Sequence, residues 1–158
     1  MERSSALARN IYERFLGQGH TFIPGAEELL KALARRYDLY LVSNGTAAVQ
    51  AGRIASAGIA PYFREIFISE QMGLHKPQRE FFDACFAAIP GFHREEALII
   101  GDSLTSDIRG GNNAGIRTCW FNPQGKPRLE DVRVDYEVSA LSQIPPLLAQ
   151  AASDFTAE

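Results

Sequence analysis

The chain has 158 residues, 46% of them apolar and 22% charged, and a net charge of −3. That length suits one domain with a real core and is short for two. It carries no basic cluster and no apolar run near the roughly 18 residues of a membrane span, so neither a nucleic acid polymer nor a membrane is an expected partner.

The N-terminal Met1-Glu2-Arg3-Ser4-Ser5 leads into amphipathic sequence, and no secretory signal is expected. Residues from about Ala6 to Leu16 place Ala6, Ile11, Tyr12, Phe15 and Leu16 near one helical face, which predicts a first helix. Thr21-Phe22-Ile23-Pro24-Gly25 breaks that pattern. A second helix is predicted from Ala26 to about Arg36, with Glu27 and Glu28 in its first turn and Arg35 and Arg36 in its last, the order the helix dipole favours. Leu39-Tyr40-Leu41-Val42 reads as a buried strand, followed by a helix from about Thr46 to Ala57 that Gly58 caps.

Ile66-Phe67-Ile68 reads as a strand and Gln78 to Ala88 as a helix. Ala97-Leu98-Ile99-Ile100 predicts another strand, closed by Gly101-Asp102-Ser103. A short helix from about Ser106 to Ala114, a strand Thr118–Phe121, a weak strand near Tyr136–Val138 and a final helix after Leu141 complete the order. Residues from Asn122 to Asp135 read as a surface connection. Strands alternating with helices imply an α/β fold with a mostly parallel sheet, in which ligands bind beyond the carboxyl ends of the strands. Cys85 and Cys119, each among apolar neighbours, read as buried free thiols and suggest a reducing, cytoplasmic compartment.

Three polar clusters fall where chemistry is expected. Ser43-Asn44-Gly45-Thr46 follows a buried strand, where a hydroxyl and backbone N–H groups at a helix start can hold a phosphate; a plain strand-to-helix turn uses the same residues. Lys76, in Gly73-Leu74-His75-Lys76-Pro77, precedes a proline and is kept out of a helix interior; a fixed ammonium there can neutralise a phosphate and keep a carboxylate ionised. His75 reads as a loop residue. Asp102 and Asp107 lie close together after a buried strand, and two such carboxylates need a compensating cation. Magnesium suits them, since it needs only one or two protein carboxylates beside waters and substrate oxygens. Asp107 also fits a first helical turn, whereas Asp102 ends an apolar run where an unpaired charge is costly. Gly110, Gly111 and Gly115 suit close packing and a C-cap, and Trp120 reads as core or pocket wall.

In this order and spacing the clusters resemble three of the four motifs of haloacid-dehalogenase-type phosphatases. Leu41-Val42-Ser43-Asn44-Gly45 resembles the second, whose Ser or Thr binds the transferring phosphoryl group; Lys76-Pro77 resembles the third. Leu98-Ile99-Ile100-Gly101-Asp102-Ser103 through Asp107 resembles the fourth, which supplies magnesium ligands. The stretch Gly101–Asn122 is most similar to pyrimidine-type 5′-nucleotidases with a helical cap. The resemblance implies a Rossmann-like three-layer core over residues 21–158 and a cap remnant over residues 1–20. It assigns phosphate binding to Ser43, Asn44, Gly45 and Lys76, a catalytic charge to Lys76, and magnesium to Asp102 and Asp107. The substrate it implies is a small phosphorylated metabolite such as a nucleoside monophosphate.

One motif is missing. Family members begin with a strand ending in Asp-x-Asp, whose first aspartate attacks phosphorus, and no Asp-x-Asp occurs in this chain. The expectation is therefore a core lacking its first strand and most of its cap, and a phosphomonoesterase inactive as written. That strand would lie between those ending at Ser43 and Asp102, so the sheet is expected to close by direct pairing of the two, by a second copy, or by sequence absent here. A catalytically dead phosphate-binding or interaction module and a dehalogenase are the alternatives.

Overall fold

The computed structural model describes residues 5–8, 25–44, 58 and 60–156. Its sheet has six strands: β1 (Ser5–Ala8), β2 (Asp38–Ser43), β3 (Glu65–Ile68), β4 (Ala97–Gly101), β5 (Arg117–Phe121) and β6 (Tyr136–Val138). They run in the order β3-β2-β1-β4-β5-β6, every pair parallel. The helices are α1 (Ala26–Ala34), a single turn α2 (Ser69–Met72), α3 (Arg79–Ala87), α4 (Arg109–Ala114) and α5 (Ile144–Thr156). The helix expected from Thr46 to Ala57 lies outside the described residues. No helix among the described residues is long and apolar enough to cross a membrane.

Alternation along the strands divides the core in two, because successive side chains on a strand face opposite sides. Leu39 and Leu41 of β2 and Leu98 and Ile100 of β4 face α1 and α5, meeting Leu30, Leu33, Ile144 and Leu148. Tyr40, Val42, Ala97 and Ile99 face the other way, against Phe81, Phe82, Cys85 and Phe86 of α3. The result is the three-layer α/β arrangement that the apolar runs implied. Helix α1 ends at Ala34, so Arg35 and Arg36 sit just past it and Lys31 is the basic residue of its last turn.

The start of the chain requires a correction. Ser5–Ala8, expected to open a helix running to Leu16, is a strand at the centre of the sheet. Leu7 is in register with Tyr40 on one side and with Ile99 on the other. Thus the gap between β2 and β4 closes through this chain's own residues, by none of the three expected routes, and the argument for a second copy completing the sheet falls away. The physical reason is long-range: two facing strand edges offer a four-residue segment hydrogen bonds on both sides, which outweighs the local helix preference of Ala and Leu. Residues 9–24, including the boundary expected near residue 20, lie outside the described residues.

Candidate functional site

The site lies at the carboxyl ends of β2 and β4, the two neighbours of β1. Strand β2 ends at Ser43, whose side chain is fully buried and whose Oγ has no hydrogen-bond partner among the described residues. An unsatisfied buried hydroxyl costs about 1–3 kcal/mol, and such an atom calls for an explanation in terms of a ligand or water.

Lys76 is 1% exposed. Its Nζ donates to Asp107 Oδ1 at 2.6 Å and to the Val42 carbonyl at 3.3 Å, which sets the ammonium beside Ser43. Its backbone is clamped by Asn44: Lys76 N–H donates to Asn44 Oδ1 at 2.9 Å, and Asn44 Nδ2 donates to the Lys76 carbonyl at 3.0 Å. From α4, Asn113 Nδ2 donates to the Pro77 carbonyl at 2.9 Å. The Lys76 loop is thus held from two elements. The side chain of Asn44 thus positions the lysine, a role separate from the backbone N–H expected to bind phosphate. Gly45 lies outside the described residues, and His75 is an exposed loop residue whose Nδ1 lies 3.0 Å from the Lys76 carbonyl oxygen.

Asp107 owes its inward position to the chain after β4. Instead of the expected helix start at Ser106, Leu104–Ile108 forms a π turn, with Ile108 N–H donating to the Ser103 carbonyl five residues back. Ser103 Oγ caps the turn by accepting from Ser106 N–H at 3.1 Å. Such turns rotate the following side chains and are frequent at functional sites. Asp107, fully buried, then accepts from Lys76 through Oδ1 and from Ser103 N–H through Oδ2 at 3.3 Å. Its carboxylate lies on the backbone of Gly101: a Cβ there would come within 2.5 Å of Oδ2. Asp102 is half-buried, and its carbonyl accepts the indole N–H of Trp120 at 3.1 Å. Trp120 is therefore core, as expected, and in addition fixes the backbone of a candidate ligand.

The donors present suit magnesium. They are carboxylate oxygens, one at a half-buried position and one held by an ammonium with lone pairs to spare, and among the described residues no group of three or more His, Cys, Asp or Glu is arranged to hold a metal ion. A hard cation that keeps most of its waters needs no more than this pair, whereas zinc or calcium would. Asp102 and Asp107 are the residues that would hold it. Cys85 and Cys119 are free and buried, and burial pushes both thiols up to about 12, far from any reactive thiolate.

The sequence singled out Ser43 and Asp102 at strand ends, Lys76 in the turn before a proline, and Asp107 shortly after Asp102. It missed Asn113 and the positioning roles of Asn44 and Trp120. These bonds link residues 18 to 36 positions apart, and no local pattern announces them.

Comparison with known proteins identifies relatives of this fold. The chain is 44% identical over 147 residues to the HAD-hydrolase YfnB of Bacillus subtilis, covering 93% of this chain and 63% of that one. It is 44% identical to the pyrimidine 5′-nucleotidase PynA of Streptococcus pneumoniae, covering 87% and 58%, and 35% identical to the pyrimidine 5′-nucleotidase YjjG of Escherichia coli, covering 82% and 58%. The crystal structure of magnesium-bound YfnB superimposes with a TM-score of 0.81 over 87% of this chain and 60% of that one. The chain thus spans 58–63% of the length of these relatives. The family model for haloacid dehalogenase-like hydrolases matches residues 2–121, and the chain belongs to that family.

Proposed function

We propose that the chain is the core of a magnesium-dependent phosphomonoesterase for a nucleotide or other small phosphate ester, and that as written it binds such a ligand without hydrolysing it. The observation that carries this reading is the buried Lys76–Asp107 pair set beside the Ser43 hydroxyl, which has no partner among the described residues. Ser43 Oγ would donate to a phosphoryl oxygen, which supplies the partner it lacks. Lys76 would offset the phosphoryl charge while holding Asp107 in place, and Asp102 and Asp107 would hold the metal. Bound magnesium would supply further charge neutralisation at the phosphoryl group.

The chemical step lacks its nucleophile. Strand β1 occupies the sheet position where the family resemblance puts the strand ending in Asp-x-Asp, and the residues after it in sequence are Arg9 and Asn10. The only acidic residues among the first twenty are Glu2 and Glu13, neither of which follows β1 directly. Covalent catalysis through an aspartyl-phosphate therefore has no attacking group at the usual place. The names of PynA and YjjG support a pyrimidine nucleotide as ligand. The buried free thiols support a cytoplasmic setting.

Trp120, the single tryptophan, bonds the Asp102 carbonyl and can report the site. Titrating magnesium should shift its fluorescence saturably, with reversal by chelator and loss in Asp102→Asn. Orthophosphate added to the magnesium-loaded chain should give a further response that Ser43→Ala abolishes. A folded chain indifferent to both ions would overturn the proposal.

A further inference from the structure

The clamp that holds Lys76 is built a second time. Asn122 follows β5 as Asn44 follows β2, and its side chain makes the same two bonds to a lysine backbone: Lys126 N–H donates to Asn122 Oδ1 at 2.9 Å, and Asn122 Nδ2 donates to the Lys126 carbonyl at 3.0 Å. Both lysines precede a proline, Pro77 and Pro127. Asn122 is 4% exposed, and its Nδ2 also reaches Glu137 Oε2 at 3.0 Å, so the clamp is anchored in the fold rather than in the loop alone.

The two lysines differ in what faces them. Lys76 is buried on Asp107, whereas Lys126 is exposed and its ammonium has no carboxylate within 4.0 Å among the described residues. Lys126 lines an open cavity of about 490 Å³ together with Asp102, Ser103, Thr105 and Trp120, and it lines a smaller one with Asp102 beside it. Asp102 is therefore shared between the candidate metal site and this cavity. A lysine side chain has many rotamers, and fixing its backbone on a buried amide limits where its ammonium can go.

We infer that Lys126 is a specificity-determining residue that donates to an acceptor oxygen on the leaving group of the phosphate ester, beyond the phosphoryl group itself. The inference rests on the phosphate-site reading above and adds the side from which the rest of the ligand is recognised. Ligands with a carbonyl, hydroxyl or carboxylate oxygen in the leaving group would be preferred over bare phosphate, and the hydroxyls of Ser103 and Thr105 line the same wall.

The test is calorimetric titration of the magnesium-loaded chain with uridine 5′-monophosphate and, separately, with inorganic phosphate. Lys126→Met should weaken the nucleotide roughly tenfold, the low end for a charge-assisted hydrogen bond, and leave inorganic phosphate unchanged. Lys126→Arg should restore most of the loss. As a control of equal charge change, Lys31→Met alters an exposed lysine on α1 that lines neither cavity and should change neither affinity. The inference fails if Lys126→Met affects neither ligand, weakens both equally, or does no more than Lys31→Met; phosphate binding by the unmodified chain would then leave the function proposal standing. If the unmodified chain binds neither ligand, both fail.

Discussion

Lys76 and Asp107 form the charge pair on which the site turns, both side chains at 0% exposure. Removing one partner of such a pair leaves an uncompensated buried charge, so Lys76→Met should destabilise the chain by about 3–5 kcal/mol in urea unfolding. Replacing both, in Lys76→Met with Asp107→Leu, should recover most of that loss, because an apolar pair needs no desolvation of charge. Additive losses in the double variant would show that the pair is not coupled as its 2.6 Å contact implies. Cys85 and Cys119 give a pH signature. Burial raises each thiol from 9.0 to about 12, so the folded state keeps its protons where the unfolded state loses them. The stability tied to the protonated thiols is complete below about pH 9 and declines as pH rises toward 12. At pH 8 neither thiol should react with a disulfide reagent until denaturant is added; rapid reaction of the native chain would contradict their burial.

At the scale of elements, the short helix α4 can approach the sheet and α3 only because two successive positions lack a Cβ. A Cβ on Gly111 would lie 2.6 Å from Thr118 Cγ2 and 2.8 Å from Ile99 Cγ2, and one on Gly110 would lie 2.5 Å from the Phe82 ring. Gly111→Ala meets two β-branched side chains held in strands β5 and β4, so overpacking should cost about 1–3 kcal/mol by thermal or urea unfolding. The same helix carries Asn113 to the Lys76 loop, so this variant should also weaken orthophosphate binding. The elements legible from sequence were those whose burial writes a continuous apolar run, such as Leu39–Val42 and Ala97–Ile100, and the amphipathic stripe Leu29, Leu30 and Leu33. Ser5–Ala8 was not legible: Ser-Ala-Leu-Ala has neither run nor alternation, its Ala and Leu favour helix, and only the two edges waiting for it make it a strand. The π turn was hidden for a similar reason, since Leu-Thr-Ser-Asp-Ile fits an ordinary helix start and differs only in which carbonyl each N–H finds. Of the site, the residues with unusual chemistry could be read, and the amides holding them could not. The Asn122–Lys126 clamp is the exception: its spacing of four residues before a proline is local and could have been noticed.

For the whole molecule, one parallel sheet brings three separated stretches of chain to one rim: Ser43 and Asn44 after β2, Lys76 after α2, and Asp102 to Asp107 after β4. Strand β1 sits between the two outer contributors and completes the hydrogen bonding of the sheet, and the residues next in sequence are Arg9 and Asn10. The proposed phosphate and magnesium roles of this rim, with no aspartate directly after β1 in the sequence, make the central claim, that this chain binds a phosphate ester and does not turn it over. The most direct measurement is hydrolysis of a chromogenic aryl phosphate by the purified chain, shown to be folded by circular dichroism, with magnesium and with chelator. The expected result is no release above the protein-free background in either condition. Magnesium-dependent turnover that Asp102→Asn abolishes would contradict the claim, because another carboxylate of the chain would then be acting as the nucleophile.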